Sequence, residues 1–276
     1  MIDALFPLPV VRGGTARRIY AMILRYWFLL RGSWPRLLEL AYWPTMQMLL
    51  WGFINQFMAQ TSTWAALGAG VLVGAVLLWD VLFRGQLGVS VSFLEEMWSR
   101  NLAQLFVTPL RPMEWVAALT IISLLRTIVG VLPAALLAAP LFGYSVFDVG
   151  PALALFFANL LIMGWWLGLI VVALILRCGM GAEGLAWMLV FLLAPVGAAF
   201  YPVAALPGWL QAVALTLPAA HVFEGMRAVL AGDGVPWAHM GWAALSNLVF
   251  FALSTAAFLW AFHDARRRGA LMQTGE

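Results

Sequence analysis

Six stretches of this sequence carry almost no charge and approach or exceed the roughly 20 residues that a helix needs to cross a bilayer. They are Leu37–Met58, Trp64–Phe83, Val116–Ala138, Ala152–Leu176, Gly184–Ala204 and Trp242–Phe262. The whole chain is 64% hydrophobic and 10% charged, against roughly 45–50% and 25% in soluble domains. Mean hydropathy is +0.95. A core in water could not hide that much apolar side chain. The expected fold is an all-α polytopic membrane protein with six transmembrane helices in one transmembrane domain. Residues 1–36 form a cytosolic or interfacial segment, 37–262 the six-span bundle, and 263–276 a cytosolic tail. The lone Cys178 excludes a disulfide scaffold. No polar stretch is long enough for a soluble catalytic domain. The first 15 residues lack a signal-peptide pattern.

Orientation follows from arginine. All 15 basic residues are Arg and none is Lys, and the net charge of +3 is spread over small clusters rather than one stripe, which argues against nucleic-acid binding. Cytoplasmic loops retain positive charge. With both termini inside, Arg12, Arg17, Arg18, Arg25, Arg31 and Arg36 precede the first span, and Arg84, Arg100 and Arg111 follow the second. Arg177 follows the fourth, and Arg266, Arg267 and Arg268 end the chain. Only Arg227 falls outside, and Arg126 lies within a span.

Three segments do not read as simple spans. Leu210–Leu230 is apolar but holds Pro218, His221, Glu224 and Arg227, which are costly in hydrocarbon. It is expected to form external re-entrant helices between spans five and six. Thr15–Leu30 mixes arginines with aromatics, and Arg18 and Arg25, seven apart, share one face. Such a helix lies in the membrane plane, unless it simply extends the first span. Between Arg84 and Glu114, Leu94, Met97 or Trp98, Leu102 and Leu105 recur at helical spacing, with Glu95 and Glu96 near the expected start. Pro109 and Pro112 stop this helix, which offers Trp98 and Phe106 either to a partner or to the membrane surface.

The run FLEEMWSRNLAQLFVTPLRP resembles the coupling segment of ATP-binding-cassette (ABC) type-2 permeases. Leu-Leu-Arg126 followed by Gly130 is similar to a short motif of that family. The stretch from Phe200-Tyr201-Pro202 through Pro207-Gly208-Trp209 to Pro218, His221, Glu224 and Arg227 resembles its C-terminal signature. His221 departs from the Thr or Tyr that many members carry there. The resemblance implies the permease subunit of an ABC exporter in a bacterial-type cytoplasmic (inner) membrane. It implies a second permease copy in a homodimer and two copies of a separate nucleotide-binding ATPase subunit. The sequence itself has no G-x-x-x-x-G-K-[ST] loop, so this chain carries no ATPase site. ATP and Mg would be bound by the partner, and no cofactor by this chain. Leu94, Glu95, Glu96, Met97, Trp98, Arg100 and Leu102 would then couple to the ATPase. Pro207, Trp209, Pro218, Glu224 and Arg227 would build the external helices.

Asp80 and Arg126 are charges inside spans and hence candidate functional groups. At about 1.5 Å per residue their levels differ by roughly 9 Å, which an extended Arg can bridge. Backbone carbonyls could hold Arg126 instead. His221, Glu224 and Arg227 recur every three residues, too few ligands for a metal site even with His239, and Glu224 and Arg227 fit a local pair. Gly164-x-x-x-Gly168 fits close helix packing. An ion-coupled secondary transporter using Asp80 and Arg126, an intramembrane enzyme at His221, and a non-transporting ATPase anchor are the competing readings.

Overall fold

The computed structural model describes residues 14–61 and 69–269. The described residues are helical, without strands. Helix α1 covers Thr15–Arg31, α2 Trp34–Thr61, α3 Ala69–Trp98, α4 Leu102–Val107 and α5 Pro112–Phe142. Then follow α6 (Ala152–Cys178), α7 (Leu185–Leu193), α8 (Gly208–Ala214), α9 (Pro218–Ala231) and α10 (Trp237–Arg267). Pro112 opens α5, where its missing N–H costs nothing, and Gly143 closes it in the left-handed conformation (φ +66°).

Helices α3 and α6 form the centre. Helices α5 and α2 pack on one side of α3, and α10 packs on α6. Helix α1 lies on α5, and α9 fills the junction of α6 and α10. One apolar cluster, with Met48, Leu78, Phe156, Phe223 and Met226, occupies the α9 end. A second, with Tyr26, Phe93, Leu94, Trp115 and Phe262, occupies the α1 end. Two glycines set how closely the central helices cross. A Cβ on Gly164 would sit 2.7 Å from the Leu82 carbonyl oxygen and 2.8 Å from the Gln86 nitrogen. One on Gly168 would sit 2.7 Å from Val89 Cβ. Between α6 and α10, Asn247 donates to the carbonyl and side-chain oxygens of Asn159, both at 3.0 Å, and accepts from Trp166 Nε1 at 3.0 Å.

The described residues contain four helices long and apolar enough to span, Val71–Trp98, Pro112–Phe142, Ala152–Cys178 and Trp237–Arg267. A bent pair, α8 with α9, would make five. Among the described residues, the expected spans and these helices differ at three places. Leu37–Met58 lies within α2, a 28-residue helix that is not among the four. Residues 64–68 of the expected Trp64–Phe83 span lie outside the described residues, and α3 continues past Phe83 to Trp98. Gly184–Ala204 is not one continuous helix. The nine residues of α7 end before Pro195, and tight turns follow, with Ala198 at φ +52°. Proline removes a backbone donor and blocks the preceding turn, so the helix stops there. Residues 1–13 and 270–276 of the expected N-terminal segment and tail also lie outside the described residues.

Replacing Gly164 with Val should force α3 and α6 apart, at about 1–3 kcal/mol for overpacking. Gly208→Ala, whose Cβ meets nothing within 4 Å, serves as control. Thermal unfolding in detergent should show a lower midpoint for the first variant and an unchanged midpoint for the second.

Candidate functional site

The end of the bundle where most described arginines gather is organised by glutamates. Helix α1 presents Met22, Tyr26 and Leu30 to the bundle and leaves Tyr20, Trp27 and Phe28 exposed. The Tyr26 hydroxyl accepts a 2.8 Å hydrogen bond from Trp115 Nε1, with both rings fully buried. On the same helix, two arginines one heptad apart grip carboxylates. Arg18 donates to both oxygens of Glu114, at 2.7 and 2.5 Å. Arg25 donates to both oxygens of Glu96, at 2.6 and 2.9 Å. Such bidentate forks are the strong, geometrically selective form of this contact. Glu114 also accepts from the Arg111 backbone N–H at 3.0 Å, capping α5 where the helix dipole favours negative charge.

The expected coupling helix is two pieces. Helix α3 runs through Glu95 and Glu96 to Trp98, the chain turns at Arg100 in the left-handed region (φ +53°), and α4 begins at Leu102. Glu95 and Glu96 thus stand at a helix C-terminus, where carboxylates are disfavoured, and each needs a cation. Glu96 is 1% exposed and also accepts from Asn101 Nδ2 at 3.1 Å. Glu95 binds Arg126 at 3.2 Å and Arg36 at 3.6 Å. Leu94 and Leu102 are buried in the bundle, and Met97 is half-buried. Outward remain Trp98, 51% exposed, Ser99, Arg100 and, at the tip of α4, Val107. Trp98 Nε1 donates to Glu183 in the α6–α7 connection at 3.1 Å. Arg18, Arg25, Arg36, Glu114, Tyr26 and Trp115 were not singled out as site residues. The shared face of Arg18 and Arg25 was visible, but nothing in one sequence names carboxylates 71 and 96 positions away.

Deeper in the bundle, Arg126 does not reach Asp80, because Glu95 holds it. Asp80 lies one turn from Arg84 on α3, and both are buried. The Arg84 guanidinium occupies space that a side chain at position 130 would need. A Cβ on Gly130 would lie 3.0 Å from its Nε and Nη1, and 2.9 Å from the Leu40 carbonyl oxygen. Asp80 Oδ2, Arg84 Nε and Arg126 Nε have no hydrogen-bond partner among the described residues.

At the opposite end, α8 and α9 meet at 95°. Pro207 caps α8, Trp209 is exposed, and Pro218 is the buried first residue of α9. Glu224 pairs with Arg227 at 3.1 Å and accepts from the Val203 backbone N–H at 2.6 Å. Arg227 also donates to the Ala198 carbonyl at 3.0 Å. His221 Nε2 donates to the Leu215 carbonyl at 2.9 Å, and its Nδ1 lies 3.0 Å from His239 Nδ1. Among the described residues, no group of three or more His, Cys, Asp or Glu could hold a metal.

These features define an integral membrane protein with an ion-paired platform at one end and a bent helix pair at the other. The ABC-2 type transporter family profile matches residues 19–231. The chain belongs to that family and is a transporter permease component. A search of curated proteins finds no match.

Arg25→Ala would strand the buried Glu96. The expected loss is about 2–3 kcal/mol, below the 3–5 of fully enclosed pairs because Arg25 is partly exposed. Adding Glu96→Gln should recover part of that loss. Unfolding of the purified chain across the four-membered cycle measures this, and strict additivity would show the pair to be uncoupled.

Proposed function

We propose that this chain is the permease subunit of an ATP-driven exporter, in which a separate ATPase drives a substrate out of the cytosol or inner leaflet. The observation that carries this reading is the α3–α4 corner. The ion pairs of Glu95 and Glu96 hold it against α1, α2 and α5, and the Arg18–Glu114 pair ties α1 to α5, so that Trp98 and Arg100 project from a braced support. A docking element must pass force into the bundle, and a corner braced in this way does so with little give. Trp98 is the anchor, with Met97 beneath it and Arg100 at the rim. Leu94, Leu102, Glu95 and Glu96 act from inside, by holding the corner in place.

The absence of any Lys or phosphate loop in the sequence supports hydrolysis on another polypeptide, with ATP and Mg bound there. The arginine-rich end faces the cytosol by the positive-inside rule, which puts both termini inside and α8–α9 outside. The wide apolar faces of α2 (Trp34, Leu38, Leu50) and α7 (Met188, Phe191, Leu192) are left to lipid and to a second copy of the chain. Two permeases and two ATPases complete the transporter, in a bacterial-type inner membrane.

Trp98→Ala should leave the permease inserted and folded. It should weaken docking of the co-expressed ATPase by about 2 kcal/mol or more, some thirtyfold. Co-purification and substrate-stimulated ATP hydrolysis provide the readouts. Retained ATPase with full coupling would remove this corner from the mechanism. For orientation, single cysteines at positions 31 and 209 in a Cys178→Ser background should be labelled by an impermeant reagent from inside and outside, respectively. The reverse pattern would overturn the placement.

A further inference from the structure

The last turns of α10 carry a pocket that neither the coupling corner nor the bent helices use. Its lining is Leu259, Trp260, His263, Asp264 and Arg267. These positions recur along one stripe of the helix. From α6, Arg177 lays its guanidinium 4.5 Å from the centre of the Trp260 ring. Stacking holds that guanidinium in place and leaves its N–H edges free. The one carboxylate in the lining, Asp264, is taken by Arg268 at 2.8 Å. Among the described residues Arg177 and Arg267 have no carboxylate partner. The pocket, with the Arg177 guanidinium stacked on its Trp260, therefore presents two cations without a carboxylate partner and an imidazole.

Its depth follows from the same helix. Exposed Trp242 and Trp260 are 18 residues apart, or about 27 Å at 1.5 Å per residue, close to the roughly 30 Å hydrocarbon core of a bilayer. Tryptophans at that separation mark the two interfaces. His263 and Arg267, one and two turns beyond Trp260, fall at headgroup level. In the other direction Leu253 and Val249 continue the stripe as exposed apolar surface. Cations, an interfacial ring and then an apolar strip match the length and polarity of one phospholipid.

We propose that this pocket binds an anionic phospholipid of the leaflet at the arginine-rich end, with the headgroup phosphate between Arg177 and Arg267 and an acyl chain along Leu253 and Val249. A zwitterionic lipid brings its own cation into a site that already holds two, so an anionic headgroup is preferred. The site rests on membrane placement and is independent of the ATPase reading.

Native mass spectrometry of the full chain, released from detergent with equal phosphatidylglycerol and phosphatidylcholine, tests it. Wild type should retain phosphatidylglycerol preferentially. Arg177→Gln/Arg267→Gln should lose that retention about tenfold or more, since each charge-assisted contact to phosphate is strong. Arg31→Gln, an exposed arginine on α1, should retain it. Because the substituted groups are exposed, the thermal midpoint should stay the same. Equal retention of both lipids by wild type, or undiminished phosphatidylglycerol on the double variant, overturns the proposal. Displacement of the lipid by millimolar glycerol phosphate would make this a soluble-phosphate site and likewise overturn it. If the double variant keeps the lipid but sheds the co-expressed ATPase, the surface is a protein-docking surface instead.

Discussion

Two adjacent carboxylates at the wrong end of a helix organise one half of this protein. Glu95 and Glu96 close α3, where the helix dipole already carries negative charge, and Glu96 is shut away from water. Neither position is tolerable without cations. Arg25 comes from α1, Arg126 from α5 and Arg36 from the start of α2, so meeting that electrostatic demand draws three helices onto a fourth. Glu114 sits instead at the N-terminus of α5, where its charge suits the helix, and Arg18 pairs with it there. The amphipathic α1 is therefore fastened to the bundle by forks at two points and by the buried Tyr26–Trp115 bond beside the second. A surface helix held by lipid alone would have none of these.

Much of the architecture was written in apolar run length. The spans of α5, α6 and α10, the amphipathic α1 and the polar, proline-marked α8–α9 region all follow from counting apolar, basic and proline residues. Hydropathy averages over a window, however, and is blind to where the backbone breaks. It merged α7 with the turns after Pro195. It also placed the start of a helix at Glu95, where α3 in fact ends, because amphipathic spacing is the same in the last turns of a long helix as in a short separate one. The break is set by a single residue, Arg100 at positive φ, a conformation available to any sequence but favoured by few.

The charged residues were legible as exceptional but not as partners. Arg126 stood out because it is costly in hydrocarbon, yet its carboxylate is 31 positions away on another helix. By depth alone, Asp80 and nearby backbone carbonyls were both within an extended arginine's reach. Depth estimates treat helices as parallel rods of one slab's length, whereas α3 and α5, of 30 and 31 residues, are longer than that. Gly130 gains its meaning only from the fold. Its lack of a side chain admits the Arg84 guanidinium at the crossing of α2 and α5. Pairing across helices is a property of three-dimensional register, and a single sequence has no term for it.

The asparagine contact between α6 and α10 has a mechanical consequence. Asn247 engages Asn159 twice and Trp166 once, and all three side chains are buried. Sliding one helix past the other, even by a single residue, would unmake all three bonds together, with nothing soft to absorb the loss. Helices α6 and α10 are thus keyed like a shaft to its collar, and any displacement of the last helix must carry the central one with it.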